Sequence, residues 1–129
     1  FMDTIDDKNI IPKNTKQIVL CSGKIYFELI EKRDKLKNTN VAIIRVEQLF
    51  PLNIDFIDKL YKKYNKSEIF WVQEEPENMG AWTFILSKLR KYDIKLISRE
   101  ESAATASGSA KDSLQKQQLI IDQVFDNIN

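Results

Sequence analysis

Short apolar runs alternate along this chain with longer stretches whose apolar residues recur at helical spacing. The runs cover residues 17–21, 41–46, 68–73 and 94–98, and the helical stretches begin near residues 24, 54, 80 and 112. Runs of this length and composition are typical of strands buried on both faces. Strands that alternate with helices predict βαβ units. We therefore expect an α/β fold, a three-layer α/β/α sandwich with a mainly parallel sheet.

The length of the chain sets its domain organisation. With 129 residues and 43% hydrophobic content it can build one domain with a real core. Residues 1–16 have no periodicity and are expected to be a linker with loose contacts from a preceding domain, and residues 17–129 are expected to be the domain itself. The start at Phe1, with Met2 second, indicates a cut inside a longer protein. No apolar run approaches the ~18 residues of a membrane span.

Several kinds of chemistry are excluded by composition. The chain has no histidine, which removes Ser-His-Asp and Cys-His catalysis and most transition-metal sites. Cys21 is the only cysteine, and its apolar surroundings favour a buried, reduced thiol over a nucleophile. The net charge of +1 comes from scattered residues, so no basic surface for nucleic acid is indicated. We therefore select no catalytic, metal or cofactor-binding residue in this chain.

Polar segments follow the predicted strands, and Arg45 lies near the end of one. Because parallel strands end at the same edge of a sheet, these segments should converge there. They are Ser22–Lys24, Glu47–Gln48, Gln73–Glu75 and Arg99–Ser102. We select Arg45, Gln48, Glu74, Glu75 and Arg99 as interface or effector candidates.

The carboxylates of this edge allow three interpretations. They are solvated loop charges that also favour helix N-termini, groups that bind the arginines of a partner, or general acids. The residue types alone leave these alternatives open. The two tryptophans, Trp71 and Trp82, fit the core better than a ligand platform.

Three motifs resemble the decarboxylating component of 2-oxoglutarate dehydrogenase, in its C-terminal, transketolase-type domain. The similarity keeps one register from about Val19 to Phe125. The motifs are Cys21-Ser22-Gly23-Lys24-Ile25-Tyr26-Phe27-Glu28-Leu29, Val41-Ala42-Ile43-Ile44-Arg45-Val46-Glu47-Gln48-Leu49-Phe50-Pro51 and Trp71-Val72-Gln73-Glu74-Glu75-Pro76-Glu77-Asn78-Met79-Gly80-Ala81-Trp82.

The resemblance implies a function for the full-length protein. It would decarboxylate 2-oxoglutarate with thiamine diphosphate and Mg²⁺, which preceding domains hold, and pass the succinyl group to lipoyl-lysine. This chain would be silent alone and would serve dimer assembly and active-site support. The implied partners are the preceding domains, a second subunit, a lipoyl succinyltransferase core and dihydrolipoyl dehydrogenase, with neither nucleic acid nor membrane. The bacterial cytoplasm is favoured over the mitochondrial matrix.

Two departures from the family pattern qualify these implications. The family carries a histidine before the last helix, where this chain has Leu114. Some relatives bind acetyl-CoA through the residue matching Gln48 and nearby basic residues, but this chain has Asp55 and Phe56 there. An acidic residue would repel the CoA phosphates. The alternatives are an allosteric nucleotide-binding module of the same enzyme, or the equivalent domain of a transketolase or a pyruvate dehydrogenase β chain.

Overall fold

The computed structural model describes residues 2–99 and 110–126. These residues form five strands and four α-helices, with short 3₁₀ turns at Pro12–Asn14 and Arg90–Tyr92. In chain order they are β1 (Thr4–Ile5), β2 (Gln17–Cys21), α1 (Ile25–Leu36), β3 (Val41–Val46), α2 (Ile54–Lys63), β4 (Glu68–Pro76), α3 (Trp82–Leu89), β5 (Lys95–Arg99) and α4 (Ala110–Asp126). No helix in the described part of the chain is long and apolar enough to cross a membrane.

The strands form one sheet in the order β1-β3-β2-β4-β5. Strands β2, β3, β4 and β5 run parallel, and the two-residue β1 joins β3 antiparallel. The central strand β2 is buried at all five positions, as its unbroken apolar sequence predicts.

Each face of the sheet carries two helices and its own core. On one face Ile57 of α2 and Ile85 of α3 pack against alternate strand residues that include Trp71. On the other face Leu29 of α1 and Val124 of α4 pack against the remaining strand residues. The predicted three-layer α/β/α sandwich with a mainly parallel sheet is therefore confirmed.

The N-terminal segment, residues 2–9, is bound to this sandwich. Thr4 and Ile5 pair with Val46 and Arg45, and the Asp7 carboxylate forms a buried ion pair with Arg33 of α1. The expectation of loose contacts is wrong for this segment, because its aspartates bind partners that are distant in sequence. The position of the domain boundary within a longer protein stays a prediction.

Two element bounds differ from the sequence prediction. Strand β4 was expected to end at Gln73 because Pro76 has no N–H, yet it runs on to Pro76. The register shifts between Val72 and Pro76, and beyond Val72 only β5 pairs with this strand, so the missing donor is tolerated. Helix α4 begins at Ala110 rather than near residue 112, and most of the expected loop at 102–110 lies outside the described residues.

Candidate functional site

The carboxyl ends of the parallel strands meet at one edge, as the sequence predicts. Cys21 at the end of β2 pairs with Arg45 on one side and Val72 on the other. Between these strand ends lies a cleft of about 440 Å³, which we call the edge cleft. It is lined by Ser22, Gly23, Leu49, Phe50, Trp71, Val72, Gln73, Glu74, Glu75, Gly80, Ala81 and Phe84.

The buried amide of Gln73 organises one side of the edge cleft. Its Oε1 accepts hydrogen bonds from Trp71 Nε1 at 2.9 Å and from the Trp82 backbone N–H at 3.1 Å. Its Nε2 donates to the backbone carbonyls of Glu75, Pro76 and Met79. One side chain therefore fixes the segment between β4 and α3 and links it to the first turn of that helix.

Gly80 allows this segment to close tightly. Its φ of +69° lies in the left-handed region, which glycine adopts without steric cost. A Cβ atom at this position would lie 2.8 Å from Glu75 Oε2 and 3.1 Å from Gln73 Oε1. The Glu75 carboxylate thus lies directly over Gly80, at the mouth of the edge cleft.

The opposite side of the edge cleft is apolar. Phe50 packs on Phe84 of α3 with 4.3 Å between ring centroids, and 71% of Phe50 remains exposed. The backbone before it is held by Asp3, whose carbonyl accepts the N–H groups of Glu47 and Gln48. The N-terminal segment therefore positions this wall.

A second hollow of about 360 Å³ lies beside Arg99. At its base Gln117 of α4 donates through Nε2 to Glu28 of α1 at 2.6 Å and to Glu74 of β4 at 2.7 Å. Arg99 Nη2 donates to Gln117 Oε1 at 3.5 Å. The neutral amide on α4 thus joins two carboxylates and a guanidinium that come from three other elements, α1, β4 and β5.

The five selected residues share the edge, but they do not form one site. Arg45 pairs with Glu47 through Nε and lies over the Tyr26 and Phe27 rings at 5.3 and 4.9 Å. Gln48 donates to the carbonyls of its own loop, at Phe50 and more weakly at Pro51.

The two neighbouring carboxylates also separate. Glu74 accepts a hydrogen bond from Gln117, whereas Glu75 lies over Gly80, although both residues line the edge cleft and the second hollow. Successive residues of a strand point to opposite faces, so this separation follows from their adjacency in β4. Glu100, Glu101 and Ser102, which complete the polar segment after β5, lie outside the described residues.

Sequence reasoning missed Glu28 and Gln117. Glu28 sits within one of the quoted motifs but on a helix, and no pattern marked it as part of the edge. Gln117 is 89 residues away from Glu28 along the chain, so no local signal connects them.

Cys21 is an inert thiol, as expected. It is fully buried, and burial raises its pKa from 9.0 to about 12, against a smaller lowering effect of the Arg45 charge. Since the thiolate is the reactive form, the thiol is protected from oxidation and alkylation. Leu114, by contrast, is 70% exposed on α4 and lines the second hollow.

Several polar side chains of the edge are engaged within the fold. Within residues 2–99 and 110–126 no group of three or more Cys, Asp or Glu side chains could hold a metal ion. The Gln73 and Gln117 amides are used in internal hydrogen bonds. The edge presents exposed apolar surface at Phe50 and the exposed carboxylate of Glu75.

Comparison with known proteins shows where such a domain occurs. Residues 1–125 match the family model described as 2-oxoglutarate dehydrogenase C-terminal.

A relative in Rickettsia typhi, named 2-oxoglutarate dehydrogenase E1 component, is 40% identical over 99% of this chain and 15% of its own length. The 2-oxoadipate dehydrogenase complex component E1 of Rattus norvegicus is 35% identical over 97% of this chain and 14% of its own length. The mitochondrial 2-oxoglutarate dehydrogenase of Caenorhabditis briggsae is 36% identical over 88% of this chain and 12% of its own length. The chain therefore spans about one seventh of the curated relatives it matches.

A solved structure supports the fold. A split-gene transketolase, described as an inactive beta4 tetramer, superposes with a TM-score of 0.64 at 11% identity, over 87% of this chain and 39% of that chain. Identity at this level shows the fold alone. The family resemblance stated from the three motifs is confirmed by the family match.

Proposed function

We propose that this chain, which belongs to the 2-oxoglutarate dehydrogenase C-terminal family, is part of an enzyme that decarboxylates 2-oxoglutarate and transfers the succinyl group to lipoyl-lysine. The names of relatives that match 97–99% of the chain support this activity. Those relatives are about seven times longer, so the activity belongs to the whole protein.

Within that enzyme we assign the domain a supporting role in dimer assembly and in the shape of the active-site region. The observation that carries this assignment is the edge cleft, whose internal polar groups are hydrogen-bonded while large apolar side chains remain exposed. Phe50 and Met79 are 71% and 58% exposed at this edge. Exposed apolar groups next to polar ones are typical of interaction surfaces.

Thiamine diphosphate and Mg²⁺ are proposed to bind outside this chain. The Gly-Asp-Gly signature of that cofactor site is absent from the sequence. A lipoyl succinyltransferase core and dihydrolipoyl dehydrogenase are the proposed partners of the whole enzyme. A bacterial cytoplasm is the proposed location, since relatives in the bacterial genus Rickettsia are 40% and 39% identical to this chain.

The full-length protein tests the activity. Purified with thiamine diphosphate and Mg²⁺ and combined with the lipoyl core and dihydrolipoyl dehydrogenase, it should reduce NAD⁺ when given 2-oxoglutarate. The rat relative, named for 2-oxoadipate, makes that acid the second candidate substrate. A higher kcat/KM for 2-oxoadipate or pyruvate than for 2-oxoglutarate would refute the proposed substrate.

The isolated chain, residues 1–129, tests the division of labour. Calorimetric titration with thiamine diphosphate and Mg²⁺ should show no saturable heat, with the full-length protein as the positive control. Micromolar binding to the isolated chain would show that part of the cofactor site lies within it.

Effector binding at Gln48 is the remaining alternative. Its Nε2 already donates to the Phe50 carbonyl at 3.3 Å, and the neighbouring Asp55 is exposed and acidic. We propose that acetyl-CoA does not activate this enzyme. The comparison of full-length activity with and without acetyl-CoA at subsaturating 2-oxoglutarate decides this, and activation that Gln48→Ala abolishes would contradict it.

A further inference from the structure

We propose that the edge cleft receives a polypeptide segment in which an apolar side chain is followed closely by arginine or lysine. The segment belongs to a part of the same enzyme outside residues 1–129. This inference rests on the proposed function, which places the domain in a longer enzyme, and it specifies the chemistry of the contact.

The walls of the edge cleft select an apolar side chain. Leu49, Phe50 and Phe84 form one wall, and Trp71 lies among the lining residues. Met79 does not line the cleft, but it is 58% exposed in the segment that the Gln73 amide holds. An occupant that covers both Phe50 and Met79 must reach outside the cleft itself.

The polar groups argue against a small-molecule ligand. The volume of about 440 Å³ falls in the range of small-ligand sites, but such sites offer a few convergent polar groups that fix orientation. Here the Gln73 amide is used in five internal hydrogen bonds. A polypeptide segment can bind by burying the apolar surface, and it does not need free polar groups in the cleft to orient it.

The charge of the edge cleft selects a cation. Its lining includes Glu74 and Glu75 and neither lysine nor arginine. Glu74 is engaged by Gln117, whereas Glu75 forms no ion pair with any residue that the structure describes. A carboxylate at the mouth of an apolar cleft complements an arginine or lysine beside the apolar anchor.

The rest of the enzyme is the natural source of this segment. The chain spans only 15% of its Rickettsia typhi relative, so most of such a protein lies outside it. An exposed apolar surface rimmed by polar groups marks a protein–protein contact, and contacts between domains of one chain resemble such interfaces.

Photo-crosslinking in the full-length protein tests the proposal. A benzophenone amino acid replaces Phe50, and in a matched control it replaces Leu36, which is 50% exposed at the end of α1. Mass spectrometry should identify, for position 50 only, a peptide from outside residues 1–129 with an apolar residue beside arginine or lysine. Glu75→Arg should lower the yield of that product about tenfold, because like charges would then face each other.

Other outcomes overturn the proposal. These are products confined to residues 1–129, a product with a different protein, a peptide without a basic residue, or a yield no higher than at position 36. Activity toward 2-oxoglutarate is measured on unmodified protein from the same preparation. Normal activity with any of these outcomes rejects this inference alone, whereas absent activity with the expected product rejects the proposed function alone.

Discussion

Replacing Asp7 with alanine should destabilise this domain more than most single substitutions. The Asp7 carboxylate accepts hydrogen bonds from both terminal nitrogens of Arg33, from the Ile43 N–H at 2.8 Å and from the Asn9 N–H at 2.9 Å. The side chains of Asp7 and Arg33 are 1% and 4% exposed. The N-terminal segment is thereby joined to α1 and β3 in the interior of the protein.

The magnitude follows from what Asp7→Ala leaves behind. The Arg33 guanidinium keeps the Val41 carbonyl as its hydrogen-bond acceptor at 3.0 Å, and the Ile43 N–H loses its side-chain acceptor. Removing one member of a buried ion pair costs about 3–5 kcal/mol. The hydrogen bond lost by the Ile43 N–H belongs to the same network as the ion pair. We therefore expect the total loss of stability to stay within that range, without a separate contribution from this bond.

Urea denaturation of residues 1–129, followed by the fluorescence of the buried Trp71 and Trp82, measures this change. With a slope of about 2 kcal/mol per molar urea, the midpoint should fall by roughly 2 M. Asp34→Ala, at an exposed position on the same helix as Arg33, is the matched control and should change stability by less than about 0.5 kcal/mol.

A second variant separates the ion pair from the rest of the site. Replacing both charges, as Asp7→Ala with Arg33→Met, should recover about 2 kcal/mol relative to Asp7→Ala, since a buried pair replaced by apolar groups is often neutral. A loss below about 1 kcal/mol for Asp7→Ala would refute the reasoning. So would a double variant that is less stable than either single one.

Three further predictions concern the edge and the core. Burial raises the pKa of Cys21 from 9.0 to about 12. The stability gained from the protonated thiol should therefore be complete below pH 9 and lost as pH rises from 9 to 12. If the difference in unfolding free energy between the wild type and Cys21→Ala were the same at pH 7 and at pH 11, this would be contradicted. Gly80→Ala should lower the unfolding free energy by about 2 kcal/mol and Gly23→Ala by about 1 kcal/mol, because both glycines have positive φ but only Gly80 is crowded. Equal shifts of the urea midpoint in the two variants would show that crowding is unimportant. Gln73→Glu should lower the unfolding free energy by about 3 kcal/mol, because the introduced carboxylate oxygens would face the backbone carbonyls that the amide now binds. An unchanged thermal midpoint would rule this out.

The sheet could be predicted because each strand is determined by residues that are contiguous in the sequence. The strands β2 and β3 have the bounds that their apolar runs indicate, since strands buried on both faces carry unbroken apolar sequence. Asn53 precedes the amphipathic stretch of α2 and is a residue type that caps helices, and its side chain accepts the Phe56 N–H at 3.0 Å.

The N-terminal segment could not be predicted, because the residue that orders it is distant from it in the sequence. Strand β1 is only two residues long, and it lies among aspartates that resemble a solvated linker. What orders it is the Arg33 guanidinium, 26 residues beyond Asp7. A sequence pattern shows a charge, but it does not show which opposite charge will be buried with it.

The candidate site was predictable in place and not in detail. Parallel strands oblige Gln48, Glu74 and Arg99 to share an edge, whatever their side chains do. Whether a side chain there faces solvent or an internal partner depends on the helices packed over the sheet. Gln117 of α4 takes Glu74 into an internal network, whereas Glu75 has no such partner among the described residues, and both carboxylates line the edge cleft.

The edge cleft is held in its shape from both sides before any partner arrives. On one side Asp3 binds the backbone before Phe50, and its carboxylate accepts hydrogen bonds from Asn53, the cap of α2. On the other side the Gln73 amide fixes the segment that contains Met79. A surface with its backbone already ordered loses less conformational entropy when it is covered. An edge cleft that is ordered in advance is therefore consistent with the supporting role that we propose for this domain.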